Sequence, residues 1–322
     1  MILRIGTRAS PLALWQARTV ARLLNAHGIQ SELVNITTAG DRLQQAPLSE
    51  VGGKRLFVKE IEEALLRGDI DLAVHSAKDM SAVLPEGLDI AATLPREDPR
   101  DAFVLPGDMP TREMDDVLKI LGPAPKIGTG SVRRTAQLVA ALPAATFLTV
   151  RGNVDTRLRK LDAGGYDALV LAAAGVSRLG LAARITAAIP VDRCMPAPGQ
   201  GIVAVETRAG DDRTRRAVRP IHDETSGIAL DAERALVMAL GGGCQLPLGA
   251  LAVSDASQMR VNAVVAAPDG SRVIAGSVQG PASEAQSLGR RLAEALIRDG
   301  ALDILDGVRR REQSTVEGST SL

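Results

Sequence analysis

The build of Gly68-Asp69-Ile70-Asp71-Leu72-Ala73-Val74-His75 returns later in the chain as Gly165-Tyr166-Asp167-Ala168-Leu169-Val170-Leu171. In both, an aspartate precedes a continuous apolar run, and a helical pattern ending at glycine precedes the aspartate. A short apolar run that does not alternate reads as a strand buried on both faces, and helix-then-strand order places such strands in a largely parallel sheet. A chain that carries this unit twice is expected to form two α/β lobes of like construction.

The surrounding signals fit that plan. Residues 2–6 read as a short buried strand, and Ser10-Pro11 supplies an N-cap and first-turn proline for a helix to about His27. A second strand is expected over 31–37, then a long Gly/Gln/Pro-containing loop over 39–55, a helix marked by Phe57, Ile61 and Leu65, and the strand ending at His75. Arg8 and Asp79 fall just past strand ends, the rim where such sheets bind ligands. In the second lobe, a strand at 126–129 feeds Gly130-Ser131-Val132-Arg133-Arg134. Another at 145–150 feeds Arg151-Gly152-Asn153 and a helix with Arg157 and Leu161. Two proline-rich passages, 94–99 and 196–201, read as hinges, and the strand signal at 202–206 returns to the first lobe. A helix over 224–240, strands over 248–253, 259–267 and 272–279, and a helix over 283–298 make a small α+β third domain. The expected division is 1–98 with 200–218, then 99–199, then 219–311, with a polar tail at 312–322 expected to be disordered.

Composition removes several function classes. With only Trp15, Tyr166 and three Phe, base stacking on aromatics is not expected, and a net charge of +0 argues against a polyanion-wrapping surface. No apolar run is long enough to span a membrane. The chain opens directly on a strand signal, without the pattern of a signal peptide, and its 2 cysteines make no disulfide framework, so the cytoplasm is the expected compartment. Only 6 of the 38 basic residues are lysine, which makes the positions of the arginines the question.

Gly241-Gly242-Gly243-Cys244-Gln245-Leu246-Pro247-Leu248-Gly249 cannot be a helix interior or a central strand. It reads either as a loop presenting one sulfur or as a buried free cysteine beside a helix C-cap.

Several segments resemble the porphobilinogen deaminase (hydroxymethylbilane synthase) family. They are Arg8-Ala9-Ser10-Pro11-Leu12-Ala13-Leu14-Trp15-Gln16-Ala17, Leu56-Phe57-Val58-Lys59-Glu60, His75-Ser76-Ala77-Lys78-Asp79 and Arg96-Glu97-Asp98-Pro99-Arg100-Asp101, followed by Arg133-Arg134, Arg151-Gly152-Asn153, Pro198-Gly199-Gln200-Gly201 and Gly242-Gly243-Cys244. They stand in order and at family-like spacing from the first strand through Gly249. The resemblance implies two hinged lobes of the periplasmic-binding-protein type plus the small third domain. It also implies a cytosolic, usually monomeric transferase of tetrapyrrole (haem or chlorophyll) biosynthesis, with no metal. Such an enzyme condenses four porphobilinogens head to tail, releases ammonia, and frees linear hydroxymethylbilane. A dipyrromethane cofactor primes the chain through a thioether to the loop cysteine, here Cys244; Cys194 is then structural.

By the same resemblance Asp79 is catalytic, Lys78, Thr129, Ser131, Arg133 and Arg134 hold the cofactor, and Arg8, Ser10, Arg151, Arg157, Arg178 and Gln200 line the substrate side. The chemistry agrees. Loss of ammonia from an aminomethylpyrrole leaves a cation that a carboxylate stabilises, and a growing oligomer bearing acetates and propionates suits bidentate guanidinium. The chain departs from the family pattern at Ser81, Gly130 and Gly241, where a proline, a serine and an acidic residue are usual, and at Arg55 and Asp155. Two other readings compete: a non-enzymatic two-lobe anion-binding protein, and a cysteine hydrolase pairing Cys244 with His75 or His222.

Overall fold

A computed structural model describes residues 2–42, 58–242, 246–255 and 257–319. The first lobe runs β1 (Ile2–Thr7), α1 (Pro11–Ala26), β2 (Gln30–Asn35), α2 (Ala39–Arg42), α3 (Lys59–Arg67), β3 (Leu72–Ser76) and β4 (Leu88–Thr93). The chain crosses into β5 (Asp101–Val104), α4 (Met114–Leu121), β6 (Lys126–Gly128), α5 (Val132–Leu138), β7 (Thr146–Leu148), α6 (Val154–Lys160), β8 (Ala168–Ala172), α7 (Ala173–Arg178) and β9 (Ala187–Ala188). It crosses back into β10 (Val203–Arg208) and α8 (Asp212–Val218), then builds α9 (Glu224–Ala239), β11 (Leu248–Asp255), β12 (Gln258–Ala266), β13 (Val273–Pro281), α10 (Ala285–Arg298) and α11 (Ala301–Ser319).

The two lobes share one sheet plan. Their strand orders are β2-β1-β3-β10-β4 and β7-β6-β8-β5-β9. In each, a parallel trio is followed by the strand that has just crossed from the other lobe, β10 or β5, running antiparallel to both neighbours. The sheets are therefore mixed at that one strand. The exchange of β5 and β10 makes the paired crossing that two hinged lobes require. β3 and β8, the strands of the repeated sequence unit, occupy the same central place, which is why Leu72-Ala73-Val74 of β3 and the whole of β8 are apolar.

Local chemistry sets the element ends. Ser10 Oγ accepts from Ala13 N at 3.4 Å, and Pro11 takes the first turn of α1, whose Ala13, Gln16, Ala17, Val20 and Leu24 are buried. Leu3, Ile5, Leu24, Leu72 and Val205 form the core between α1 and the first sheet; Ile61, Leu65 and Ile70 cover the other face. Fully burying each such side chain contributes about 1.5–3 kcal/mol. Phe103, Ile127, Leu138 and Val170 do the same in the second lobe.

The third domain is an antiparallel sheet, β11-β12-β13, covered by α9 and α10. It is bonded to the crossings. Glu233 of α9, fully buried, accepts from Arg96 Nη1 (2.6 Å) on the first crossing, from Gly199 N (2.6 Å) on the second, and from Ala252 N (2.8 Å) in β11. Ala250 N donates to Pro196 O at 2.9 Å. α11 runs to Ser319, in place of the disordered tail that composition predicts from Glu312. Ala301, Ile304, Leu305 and Val308 dock its first turns on the third domain, and the helix-favouring Arg310-Arg311-Glu312-Gln313 run on from them.

Candidate active site

β3 ends in a single 3₁₀ turn, Ala77–Asp79. The turn is fixed by Ala77 N donating to Ile202 O at 3.0 Å. Below it, Ala77 and Met80 pack on Ile202, Ala204 and Leu230, so one small core joins the turn, the second crossing and α9. Gly201 lies at φ +89°, and a Cβ there would strike Glu97 O, so only glycine lets the two crossings pass so closely. Asp79 itself is exposed. It shares a cleft with Arg8, Ser10, Gln16 and Ser76, so the two strand-end residues do share a rim.

Arg8 is not open to solvent anions as it stands. Its guanidinium holds Asp41 of α2 at 2.6 Å. Burial opposes ionisation of Asp41, but Arg8 outweighs it and holds the carboxyl below its ordinary range. Ser10 spends its hydroxyl on the cap of α1, and Gln16 Nε2 donates to Ser76 Oγ at 2.7 Å. Arg55, Phe57 and most of the 39–55 loop lie outside the described residues, as does Cys244; its flanks Gly242 and Leu246 are described.

The second lobe turns Arg133 and Arg134 onto Asp101, the fully buried first residue of β5. Arg133 Nη1 donates to Asp101 Oδ2 (2.7 Å) and to Met195 O (2.6 Å), while Arg134 Nε and Nη2 donate to Asp101 Oδ1 at 2.9 and 2.8 Å. Burial works against the Asp101 charge, yet the two guanidinium groups hold its pKa well below the carboxylate range. Gln200, also fully buried, donates through Nε2 to Asp101 Oδ1 (2.9 Å) and Pro99 O (2.6 Å), and its Oε1 accepts from Lys78 Nζ at 3.4 Å. Gln200 is thus a tie across both crossings. Thr129 is buried, with Oγ1 accepting from Ser131 N at 3.3 Å, and Ser131 caps α5.

Lys78, Asp79 and the arginines meet between the lobes. Burial pushes the Lys78 ammonium down to about 8, with Arg134 and Arg133 adding to the fall and Asp79 and Asp101 opposing it. Burial pushes Arg157 down to about 10; Arg134 and Arg151 add to this and Asp79 opposes it. Arg157 Nε donates to Gly152 O at 2.8 Å. Arg178 stands further along the hinge. Its Nη2 donates to Gly201 O at 2.6 Å, its guanidinium lies 5.5 Å from the Trp15 ring centroid, and its buried Nε has no partner among the described residues. Asp101, Asp41 and Glu233 carry the site from beneath, and sequence reading assigned none of them a role. Asp101 carried a signal, being an acid at the start of a strand just past a hinge and in the same lobe as the paired arginines.

The thiol and imidazole chemistry is also placed. Cys194 is fully buried with Sγ 3.4 Å from Asp101 Oδ2, and burial pushes its thiol up to about 12. His75 Nε2 lies 3.1 Å from Glu206 Oε2 inside the first sheet, and His222 Nδ1 accepts from Thr93 N at 3.1 Å. Both histidines serve the scaffold, which leaves the hydrolase reading without a base among them.

Porphobilinogen deaminase family models match the chain twice: the dipyromethane cofactor binding domain over residues 3–216 and the C-terminal domain over residues 228–298. Proteins named porphobilinogen deaminase from two strains of Acidithiobacillus ferrooxidans are each 47% identical over 309 residues, covering 95% of this chain and 98% of their own. Among solved structures, the methionine binding protein MetQ is 14% identical, with a TM-score of 0.43, over 68% of this chain and 89% of its own. The VFT2 domain of Bordetella pertussis BvgS is 18% identical, with a TM-score of 0.40, over 74% of this chain and 92% of its own. The two-lobe description rests on the strand orders and not on these likenesses.

Proposed function

Since the chain belongs to the porphobilinogen deaminase family, we propose that the cleft between its lobes is the site of that family's transferase reaction. Four porphobilinogens are joined head to tail with loss of ammonia, and linear hydroxymethylbilane is released by water. The observation that carries the residue-level reading is Asp79, an exposed carboxylate within electrostatic reach of the desolvated cations Lys78 and Arg157.

Each porphobilinogen carries an acetate and a propionate. Arg151, Arg157 and Arg178 supply guanidinium groups from the second lobe, and Arg8 and Ser10 line the first-lobe cleft with Asp79, so that carboxylates of the substrate are bound by both lobes. Arg8 exchanges Asp41 for a substrate carboxylate. Gln200 holds Lys78 and Asp101 in register beneath. As the aminomethyl C–N bond breaks and ammonia leaves, positive charge spreads over the pyrrole ring. Asp79 accepts from the ring N–H and offsets that charge; an ion pair at about 4 Å in an effective dielectric of about 20 interacts by roughly 4 kcal/mol. The same carboxylate takes the proton that the attacked ring carbon gives up.

The residues fit dipyrromethane. Lys78 and Arg157 lose basicity to burial and to neighbouring cations, a strain that bound carboxylates relieve, and the donors outnumber the acids around them. Lys78, Thr129, Ser131, Arg133 and Arg134 would hold it, the two arginines keeping Asp101 in common. When bound, the group supplies the free pyrrole position onto which the first substrate is joined. We assign its attachment to Cys244, because a thiol as buried and as weakly acidic as Cys194 is a poor nucleophile. Action as a monomer in the cytoplasm, without a nucleic-acid partner, belongs to the same proposal. Every group named here comes from one chain, and no helix among the described residues is long and apolar enough to cross a membrane.

Asp79→Ala tests the assignment. The variant should keep its covalent pyrrole adduct yet form hydroxymethylbilane at least about 10²-fold more slowly. Near-normal turnover would remove Asp79 from the reaction.

A further inference from the structure

α9 ends at the glycines that lead to Cys244, and the side chain that meets this end comes from α11. Arg309 Nη2 donates to Leu240 O at 3.1 Å and to Gly242 O at 3.4 Å, while its Nη1 donates to Asp306 Oδ1 at 2.8 Å. Directly beside this seat is Gly241. Gly241 lies at φ +87°, and a Cβ there would stand 2.8 Å from Arg309 Nη2. The last carbonyls of a helix are the orphan acceptors and the negative end of its dipole, so a guanidinium is suited to this position. On the far side of the loop, Leu246 and Leu248 are buried in the third-domain core and Ala266 N donates to Pro247 O at 3.1 Å.

We propose that Arg309 is a positioning residue for Cys244: by binding the carbonyls of Leu240 and Gly242, it fixes the chain from which the cysteine departs, while the sheet fixes the chain on the other side. The inference rests on the reading that Cys244 bears the dipyrromethane. It gives Gly241 a physical role, because the left-handed backbone (φ +87°) beside the guanidinium favours glycine. It also gives α11 a task, since the helix delivers Arg309 and Asp306 to the base of the loop.

The test uses full-length apoprotein made in a host that produces no porphobilinogen. Wild type, Arg309→Ala, Arg309→Lys and Asp306→Ala are incubated with porphobilinogen, and the adduct is followed by intact mass. Loss of one charge-assisted hydrogen bond should slow loading of Arg309→Ala about tenfold. Arg309→Lys should recover part of the rate, and Asp306→Ala should show part of the defect with Arg309 still present. The KM of fully loaded Arg309→Ala for porphobilinogen should equal that of wild type, because the residue does not touch substrate. Loading of Arg309→Ala within twofold of wild type would overturn the proposal, as would a loss of rate that tracks melting temperature across the three variants. If wild type itself gains no adduct, the cofactor reading fails instead. Deuterium exchange at the Gly241 and Gly242 amides, read on the same samples, then judges the clamp alone: faster exchange in Arg309→Ala upholds it, and unchanged exchange refutes it.

Discussion

Lys78 and Asp79 are neighbours in sequence with opposite surroundings, one ammonium desolvated among arginines and one carboxylate exposed at the rim. The lysine predicts a pH dependence. With its pKa drawn down to about 8, Lys78 is charged below that pH and neutral above it in the apoprotein. Carboxylates bind the charged form, so cofactor loading through Lys78 should weaken as pH rises through about 8, and loading should in turn raise the lysine's pKa. Acetylation of Lys78, followed by peptide mass against pH, should show a midpoint near 8 in apoprotein and a higher one after loading. A midpoint at about 10.4 in both forms, the ordinary lysine value, would contradict this. The strand-end positions of Arg8, Lys78 and Asp79 were legible from the sequence. What was not legible is which cations meet a carboxylate of their own chain. Arg8 on Asp41 and the paired arginines on Asp101 are contacts between distant residues, made only once the lobes fold.

At the scale of elements, the signals that held were the strong local ones. Ser10-Pro11 began α1, the apolar repeats became β3 and β8, and the three third-domain strands and the helix after them lie within a few residues of where the sequence placed them. Short elements escaped. β4 buries its residues unevenly, β9 has 2 residues, and the last helix depends on docking that its polar end does not advertise. The role of α9 was also hidden, because Glu233 works by reaching three other segments. Its carboxylate is the joint among both crossings and β11, and removing one partner from a buried ion pair is costly. Glu233→Ala should lower stability in urea by about 3–5 kcal/mol, with Arg96 Nη1, Gly199 N and Ala252 N losing their shared acceptor. A loss below about 1 kcal/mol, the size of an exposed pair, would show that the joint is not structural.

At the scale of the molecule, the lobes exchange β5 and β10, and the third domain is bonded to the crossings those strands follow. Arg234 of α9 adds a further tie by donating to Ser81 O (2.9 Å) and Ala82 O (2.7 Å), just past Asp79. The third domain is thereby tied to the turn that carries Asp79, and Arg157 of the second lobe lies within electrostatic reach of that carboxylate. The proposed function needs such a tie, because it anchors a pyrrole chain at Cys244 and extends it at Asp79. The intact mass of freshly purified protein tests that most directly, compared among wild type, Cys244→Ser and Cys194→Ser. The account predicts an excess equal to two linked pyrrole units in wild type and in Cys194→Ser, and none in Cys244→Ser. An excess that survives Cys244→Ser, or that disappears with Cys194→Ser, would contradict it.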